Sequence, residues 1–461
     1  IASCLVGSEM CIRDRLLNKS MKASIAIIAM TVLSCFLHSD DLLDPYMSSS
    51  EYKVFIKQVS DAVSDHPEYL SSLDSLKAAG ANLKGTKANL LPQIRLIVDS
   101  NNQLDKSFED GANNLFEKSR SDHKTDATIT ISQLLYDFGA TRSDISKSEA
   151  LFDAKRAELS ATILDLIYRS VISYINVSAY AIFTDTINES YKRHTSIKER
   201  IQQKVEGGLS APRELSRAVA REAEAYAKLI TVRQNLSKAI SEYRIYFPSN
   251  DLPKKLPPEN LNLQIRTLEE SRNLMMANNP NILRALSSLE ASIFNAQKVQ
   301  GESLPRLDIE VRGSQYNLSE QSDEYDVYSG LNLSYDLYTG GKNRALKEQA
   351  RAESSAFMNN KDAIIRKIEA EMSNSLQNIK LIPSNIEAYQ NAYKANKQSQ
   401  FYANEQFQTS NVLLLDLLQT ERDFLESSQA LLEAIRSSQI ERYSYTKLTG
   451  ELGSEFELRV N

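Results

Sequence analysis

The chain carries its helix-breaking punctuation twice, in the same order and at the same distances. Pro67 and Pro92 stand 25 residues apart, as do Pro280 and Pro305, and the second pair follows the first by 213 residues. Leu135-Tyr136-Asp137 recurs as Ser334-Tyr335-Asp336. Gly139 and Gly208 are then separated by 69 residues, and so are Gly341 and Ser410. Repetition at fixed spacing constrains a fold strongly, because each copy must build the same supersecondary unit. The copies, residues 51–247 and 262–450, meet in a Pro-rich linker at 248–261 that holds Pro248, Pro253, Pro257 and Pro258. Residues 451–461 form a C-terminal tail.

Each copy predicts the same series of elements. A helix of about 40 residues enters (roughly 51–90 and 262–303) and proline stops it. A strand, a polar loop and a returning strand follow, at about 93–101 and 127–136 in the first copy and 306–314 and 327–336 in the second. Leu307, Ile309 and Val311 alternate with Asp308, Glu310 and Arg312, the period of two that marks a half-buried strand. Ile94, Leu96 and Val98 alternate with Arg95, Ile97 and Asp99, with one lapse at Ile97. After the glycine comes a very long helical run, then a turn, then a helix of about 35 residues back. Gly and Pro number only 14 and 11, which favours such helices over a turn-rich all-β chain. A helix filling the 69-residue interval would be ~100 Å long, deeper than any ordinary globular core. In the returning helix Leu417, Phe424 and Leu431 recur at seven-residue steps, with Leu418, Leu425 and Leu432 beside them, the spacing of coiled-coil packing.

The strands set the environment. Each is about nine residues, enough to cross a bilayer when tilted. One face is apolar and the other polar, as lipid outside and a wet lumen inside require. Tyr136 and Tyr335 at the helix-side ends, with Tyr325 and Tyr328 near the loop side, suit the membrane interfaces. Four strands are too few to close a barrel, since about eight are needed. Open sheet edges are not tolerated in lipid, so several copies would have to complete one barrel. A soluble antiparallel sheet is the plainer alternative. The expected fold class is mainly α with a small transmembrane β part.

The remaining features narrow the function. The net charge of −6, without a Lys/Arg cluster, argues against nucleic acid as a partner. Residues 1–20 read as a non-native, adapter-derived extension ahead of a start at Met21. Met21-Lys22 and the uncharged 15-residue run from Ala23 to Leu37 predict a signal peptide at 21–37, a buried N-terminal helix being the alternative. Val32-Leu33-Ser34-Cys35 follows the lipobox pattern and makes Cys35 the candidate lipidation site, ordinary cleavage slightly later being the alternative. Cys4, Cys11 and Cys35 are the only cysteines, so the body has no disulfide and no cysteine metal site. The most apolar stretch, Thr162–Phe183, is interrupted by Asp165 and Arg169, and no helix is expected to span a membrane. His38, His66, His123 and His194 are scattered, and H-E-x-x-H, the P-loop and G-x-S-x-G are all missing. No catalytic residue, metal or cofactor is expected, and the chain does not read as an enzyme. Pro383 sits where the first copy has Ala181 and predicts a bend or break in the second long helix.

On these residues the chain resembles the TolC-like outer-membrane efflux proteins over nearly all of its length after the signal. The motifs are the Pro-to-Leu-Pro frame of the entering helix in both copies, the strand exits Leu135–Gly139 and Tyr335–Gly341, and a pair of tip turns. The resemblance implies a homotrimer whose twelve-stranded barrel in outer-membrane lipid continues as an α-barrel across the periplasm. It implies an exit duct of a tripartite system, for small-molecule efflux or type I protein secretion. The partners would be a periplasmic adaptor and an inner-membrane ABC or proton-driven transporter. It also assigns the tips. Gly207, Gly208, Leu209 and Ser210 in one turn, and Ser410, Asn411 and Val412 in the other, would meet the adaptor. Asp416 stands at an acid lining the periplasmic entrance, and Gln419 at a second acid position. Glu214 matches an acid that bonds a tyrosine across the tip, but Phe407 holds the tyrosine position and has no hydroxyl. Val412 replaces a cross-tip basic residue. Those four positions, Asp416, Gln419, Glu214 and Phe407, are the entrance candidates, and for Asp416 and Glu214 a solvated helix end is the competing role. A non-transporting periplasmic coiled coil is the alternative function, separable by conductance.

Overall fold

The computed structural model describes residues 42–105, 107, 123–248, 251–258, 266–318, 323–409 and 413–458. Residues 21–37, where a signal peptide is expected, and Cys35 lie outside the described residues. In chain order the elements are α1 (Ser49–Ser64), α2 (Pro67–Ala88), β1 (Gln93–Asn102), β2 (His123–Tyr136), α3 (Ala140–Glu206) and α4 (Pro212–Tyr246). The second series is α5 (Leu268–Asn278), α6 (Pro280–Gly301), β3 (Arg306–Gln315), β4 (Tyr325–Ser334), α7 (Lys342–Gln408) and α8 (Leu414–Thr449), with a short α9 (Leu452–Glu455) after it.

Each entering helix, expected as one piece, is two. The break falls at His66 and at Asn279, directly before a proline. Proline pushes its predecessor out of the helical region and suits the first position of the next helix. Both cap residues are extended and close the new helix with a side chain. The His66 Nδ1 accepts from the Glu68 amide at 3.2 Å, and the Asn279 Oδ1 from the Asn281 amide at 3.0 Å.

α3 and α7 are each 67 residues, hence ~100 Å of helix. α3 contains neither glycine nor proline. Its start is fixed by Asp137, whose carboxylate accepts the Gly139 and Thr141 amides at 3.1 and 2.7 Å. The turns from strand to helix need left-handed backbone, with φ of 85° at Gly139 and 61° and 91° at Gly340 and Gly341. α7 runs unbroken through Pro383. Proline there removes one backbone donor, a local loss that the flanking turns outlast. α3 also contains a stretch long and apolar enough to cross a membrane by length and composition, but 56% of that window is buried inside the chain. Asp165, in the apolar stretch Thr162–Phe183, is paired with Lys447 at 2.7 Å.

The chain divides into two compact units, and both repeats contribute to each. The first unit comprises residues up to Ala62, Tyr168–Ile265 and Ser375–Tyr445. Its core holds an aromatic group in which Phe55 and Tyr243 are fully buried and Tyr174 meets the Phe55 ring at 4.6 Å between centroids. The linker is anchored here. The Ser178 hydroxyl donates to the Lys255 carbonyl, and the Gln439 amide to that of Pro257. The second unit comprises Val63–Ile167, Arg266–Asn374 and Thr446–Asn461. In it Gly301 of α6 lies against Ala140 of α3, so close that a Cβ would sit 2.9 Å from that residue.

The four strands, all in the second unit, form one antiparallel sheet in the order β1-β2-β3-β4. Register sorts the side chains, because directly opposed residues share a face. Ile94, Ile131 and Val311 lie in one row, Leu96, Ile129 and Val327 in the next, and Ile309 with Leu331 and Leu307 with Leu333 continue the same face. The other face carries Arg95, Asp99, Asp126, Thr130, Asp308, Glu310 and Arg312. β1 and β4 are the sheet's edges, and among the described residues neither has a second partner strand. Tyr335 lies just beyond the end of β4.

Candidate functional site

The two helix tips belong to the first unit. At the first, α3 ends in a Schellman turn. Gly208, with φ 73°, donates to the Val205 carbonyl at 3.0 Å, and Leu209 to that of Lys204 at 2.7 Å. Only a residue tolerant of left-handed backbone closes a helix this way. Ala211 then caps α4 with extended backbone and Pro212 opens it. The turn that results, Gly207-Gly208-Leu209-Ser210, projects Leu209 at 82% exposure. At the second tip α7 ends at Gln408, and Ser410, Asn411 and Val412 lie outside the described residues. α8 begins beyond them with Leu413 and Leu415 exposed.

Beneath the turns one apolar cluster joins all four helix ends. It contains Ile197 and Ile201 from α3, Ala218 from α4, Ala403 and Phe407 from α7, and Leu414, Leu417 and Leu418 from α8. Phe407 is therefore a buried core residue, 4% exposed, with the Lys204 ammonium 4.8 Å from its ring centre. A cation over an aromatic face is attractive, so the ring ties α3 to α7 without a hydroxyl. Glu214, in the first turn of α4, is bound by its neighbours Arg213 and Arg217 at 3.2 and 3.3 Å. Asp416 is exposed in the first turn of α8, where a carboxylate is favoured by the helix N-terminus. Gln419 is exposed one turn further and donates to Asp423 at 2.8 Å.

Above the cluster lie polar ties that the sequence reading missed. The Arg193 Nε donates to both carboxylate oxygens of Glu421, at 3.1 and 2.9 Å, and the Gln400 amide donates to the same group at 2.6 Å. Glu421 is 1% exposed. Three helices, α3, α7 and α8, thus share one buried carboxylate. Lys198 and Glu222 link α3 to α4 at 2.7 Å, and that contact holds Glu222 below the usual carboxylate range. His194 lies within this group, and burial lowers its pKa. A signal for Glu421 was present. It falls four residues after Leu417 and three before Phe424, on the apolar stripe, where an acid must find a partner. Nothing in the sequence points to Arg193, 228 residues away. Among the described residues no group of His, Cys, Asp and Glu is arranged to hold a metal ion.

Known proteins share this architecture. A family model described as outer membrane efflux protein matches residues 59–242 and 272–451. The outer membrane protein TolC of Salmonella enteritidis is 22% identical over 444 residues, 91% of this chain and 86% of that protein. The outer membrane efflux protein BepC of Brucella suis biovar 1 is 20% identical over 341 residues, 73% of this chain and 74% of that protein. Among solved structures, the CmeC outer membrane channel of Campylobacter jejuni shares the fold with a TM-score of 0.77. It is 16% identical, and the match covers 86% of this chain and 85% of that one. These matches favour an exit duct over a non-transporting coiled coil. The family model spans well over half of the sequence, and the protein therefore belongs to the outer membrane efflux proteins, as a channel of the Gram-negative outer membrane that extends into the periplasm and not as an enzyme.

Proposed function

We propose that three copies of this chain assemble into one efflux duct. The observation that carries the reading is a sheet with one apolar face and two open edges. Exposed apolar side chains such as Ile94, Leu331 and Leu333 suit lipid contact. Unpaired edges in lipid would leave backbone polar groups unsatisfied, at several kcal/mol for each. Pairing β4 of one copy with β1 of the next removes both edges, and three copies of four strands give an even-numbered barrel of twelve. The long helices α3 and α7 and their returning partners would continue the wall through the periplasm.

The tips are the proposed working end. Leu209, Leu413 and Leu415 present exposed apolar side chains there, a surface suited to a periplasmic adaptor that couples the duct to an inner-membrane transporter. Asp416 is the proposed entrance acid. Threefold symmetry would bring three copies around one axis, where like charges in a narrow passage attract cations. Gln419 adds no charge to that ring. The test is single-channel conductance with a trivalent cation added on the periplasmic side. The expected result is block of the unsubstituted channel, relieved in Asp416→Asn with assembly unchanged. Equal block in both proteins would make Asp416 a solvated helix-end residue and nothing more.

A further inference from the structure

The polar face of the sheet holds an arrangement that the duct reading does not use. Arg95 of β1, Thr130 of β2, Arg312 of β3 and Tyr328 of β4 stand in one cross-strand row. The row contains no acid. Neighbouring strands are about 4.8 Å apart, so the two arginine backbones are about 10 Å apart with a hydroxyl side chain between them. Arginine side chains of that reach can converge on a ligand placed over Thr130.

The charges around the row are unevenly matched. Lys124 is paired with Asp126 at 2.7 Å, and Arg306 with Asp308 at 2.8 Å. Arg312 is paired with Glu310 at 2.6 Å and lies 5.3 Å from the Tyr328 ring centre, two contacts that hold its guanidinium in place. The Arg312 Nε is buried and has no hydrogen-bond partner among the described residues. Arg95 is exposed and makes no ion pair or side-chain hydrogen bond among the described residues. One guanidinium is therefore positioned and the other is free.

We propose that Arg95, Thr130 and Arg312 form an anion-binding cradle on the lumen wall, one in each copy, that engages phosphate or carboxylate groups of passing solutes. The site rests on the duct reading, which turns this face inward. Guanidinium forks match such oxyanions with two parallel hydrogen bonds. Rings of Arg or Lys are a known means of favouring anions in pores. Three cradles at one level would form a positive belt in a chain whose overall charge is negative. The lumen of a twelve-stranded barrel is wide compared with the ~8 Å screening length at physiological salt. The belt would accordingly act most strongly on solutes near the wall, and anions bound there would lower the conductance in part.

The test uses the full chain in planar bilayers with pyrophosphate as the probe, added on the side opposite the helix tips. Pyrophosphate is expected to reduce the current of the unsubstituted channel. Arg95→Gln should raise the half-blocking concentration by about tenfold, the scale of one lost charge-assisted contact. Arg95→Lys keeps the charge but not the fork and should fall between the two. Thr130→Val, which leaves both charges, should weaken block less than Arg95→Gln. A conducting channel whose block is the same in Arg95→Gln as in the unsubstituted protein would overturn the cradle while leaving the duct intact. Absence of conductance in the unsubstituted protein would remove the duct and the cradle together.

Discussion

Glu421 shows how much one side chain can determine at the tip half of the molecule. Its carboxylate is buried and receives donors from Arg193 and Gln400. Replacing it with alanine leaves Arg193, itself only partly exposed, without its counter-charge. Breaking a buried pair from one side is destabilising by about 3 kcal/mol or more. Glu421→Ala should lower the thermal midpoint clearly, and Glu421→Gln, which can still accept hydrogen bonds, should lower it less. His194 beside this pair gives a pH dependence. Its folded-state pKa is lowered by burial, so the unfolded chain binds the proton more readily. Stability from this residue is present above the ordinary histidine value and is lost as pH falls through it, near 6.5. Urea unfolding between pH 7.5 and about 5.5 should show a decline that is reduced in His194→Gln. These residues separate what the sequence reveals from what it hides. Asp416 and the glycine turn are local signals at helix ends. The Phe407 environment and the Arg193 to Glu421 tie depend on which helices meet, and no spacing within either helix encodes that.

At the scale of elements, the punctuation was legible because prolines and glycines act through the backbone alone. It marked the ends of the long helices and strands, but it did not show the depth of the cut at His66 and Asn279. There the sequence reading extended one helix across a proline that starts a second. At Pro383, where a bend or break was expected, α7 continues without a break. A proline that follows several helical turns and precedes several more can be carried by both sides. Its cost is then mainly one missing hydrogen bond and local crowding. Pro383→Ala should restore the bond to the preceding turn. Hydrogen exchange in the segment around residues 379–387 should slow in this variant, while α3 is unaffected. Unchanged exchange there would mean that the proline is not the weak point of α7.

The whole molecule is defined by what its sheet leaves unfinished. Repetition, alternation and strand count were all visible in the sequence, and together they pointed to a barrel that no single chain could close. The structure adds the register, which gathers the apolar side chains on one face and leaves β1 and β4 as edges. The most direct measurement asks whether those edges meet between copies. No cysteine lies beyond residue 35, so Leu96→Cys on β1 and Leu331→Cys on β4 can be introduced together without other thiols in the body of the chain. A short flexible bis-maleimide, which adds one cysteine thiol at each end, applied to outer-membrane fractions should give covalent dimers and trimers, with the ladder ending at the trimer. A ladder that continues beyond three copies, or chains joined only to themselves, would contradict a closed barrel built from three copies.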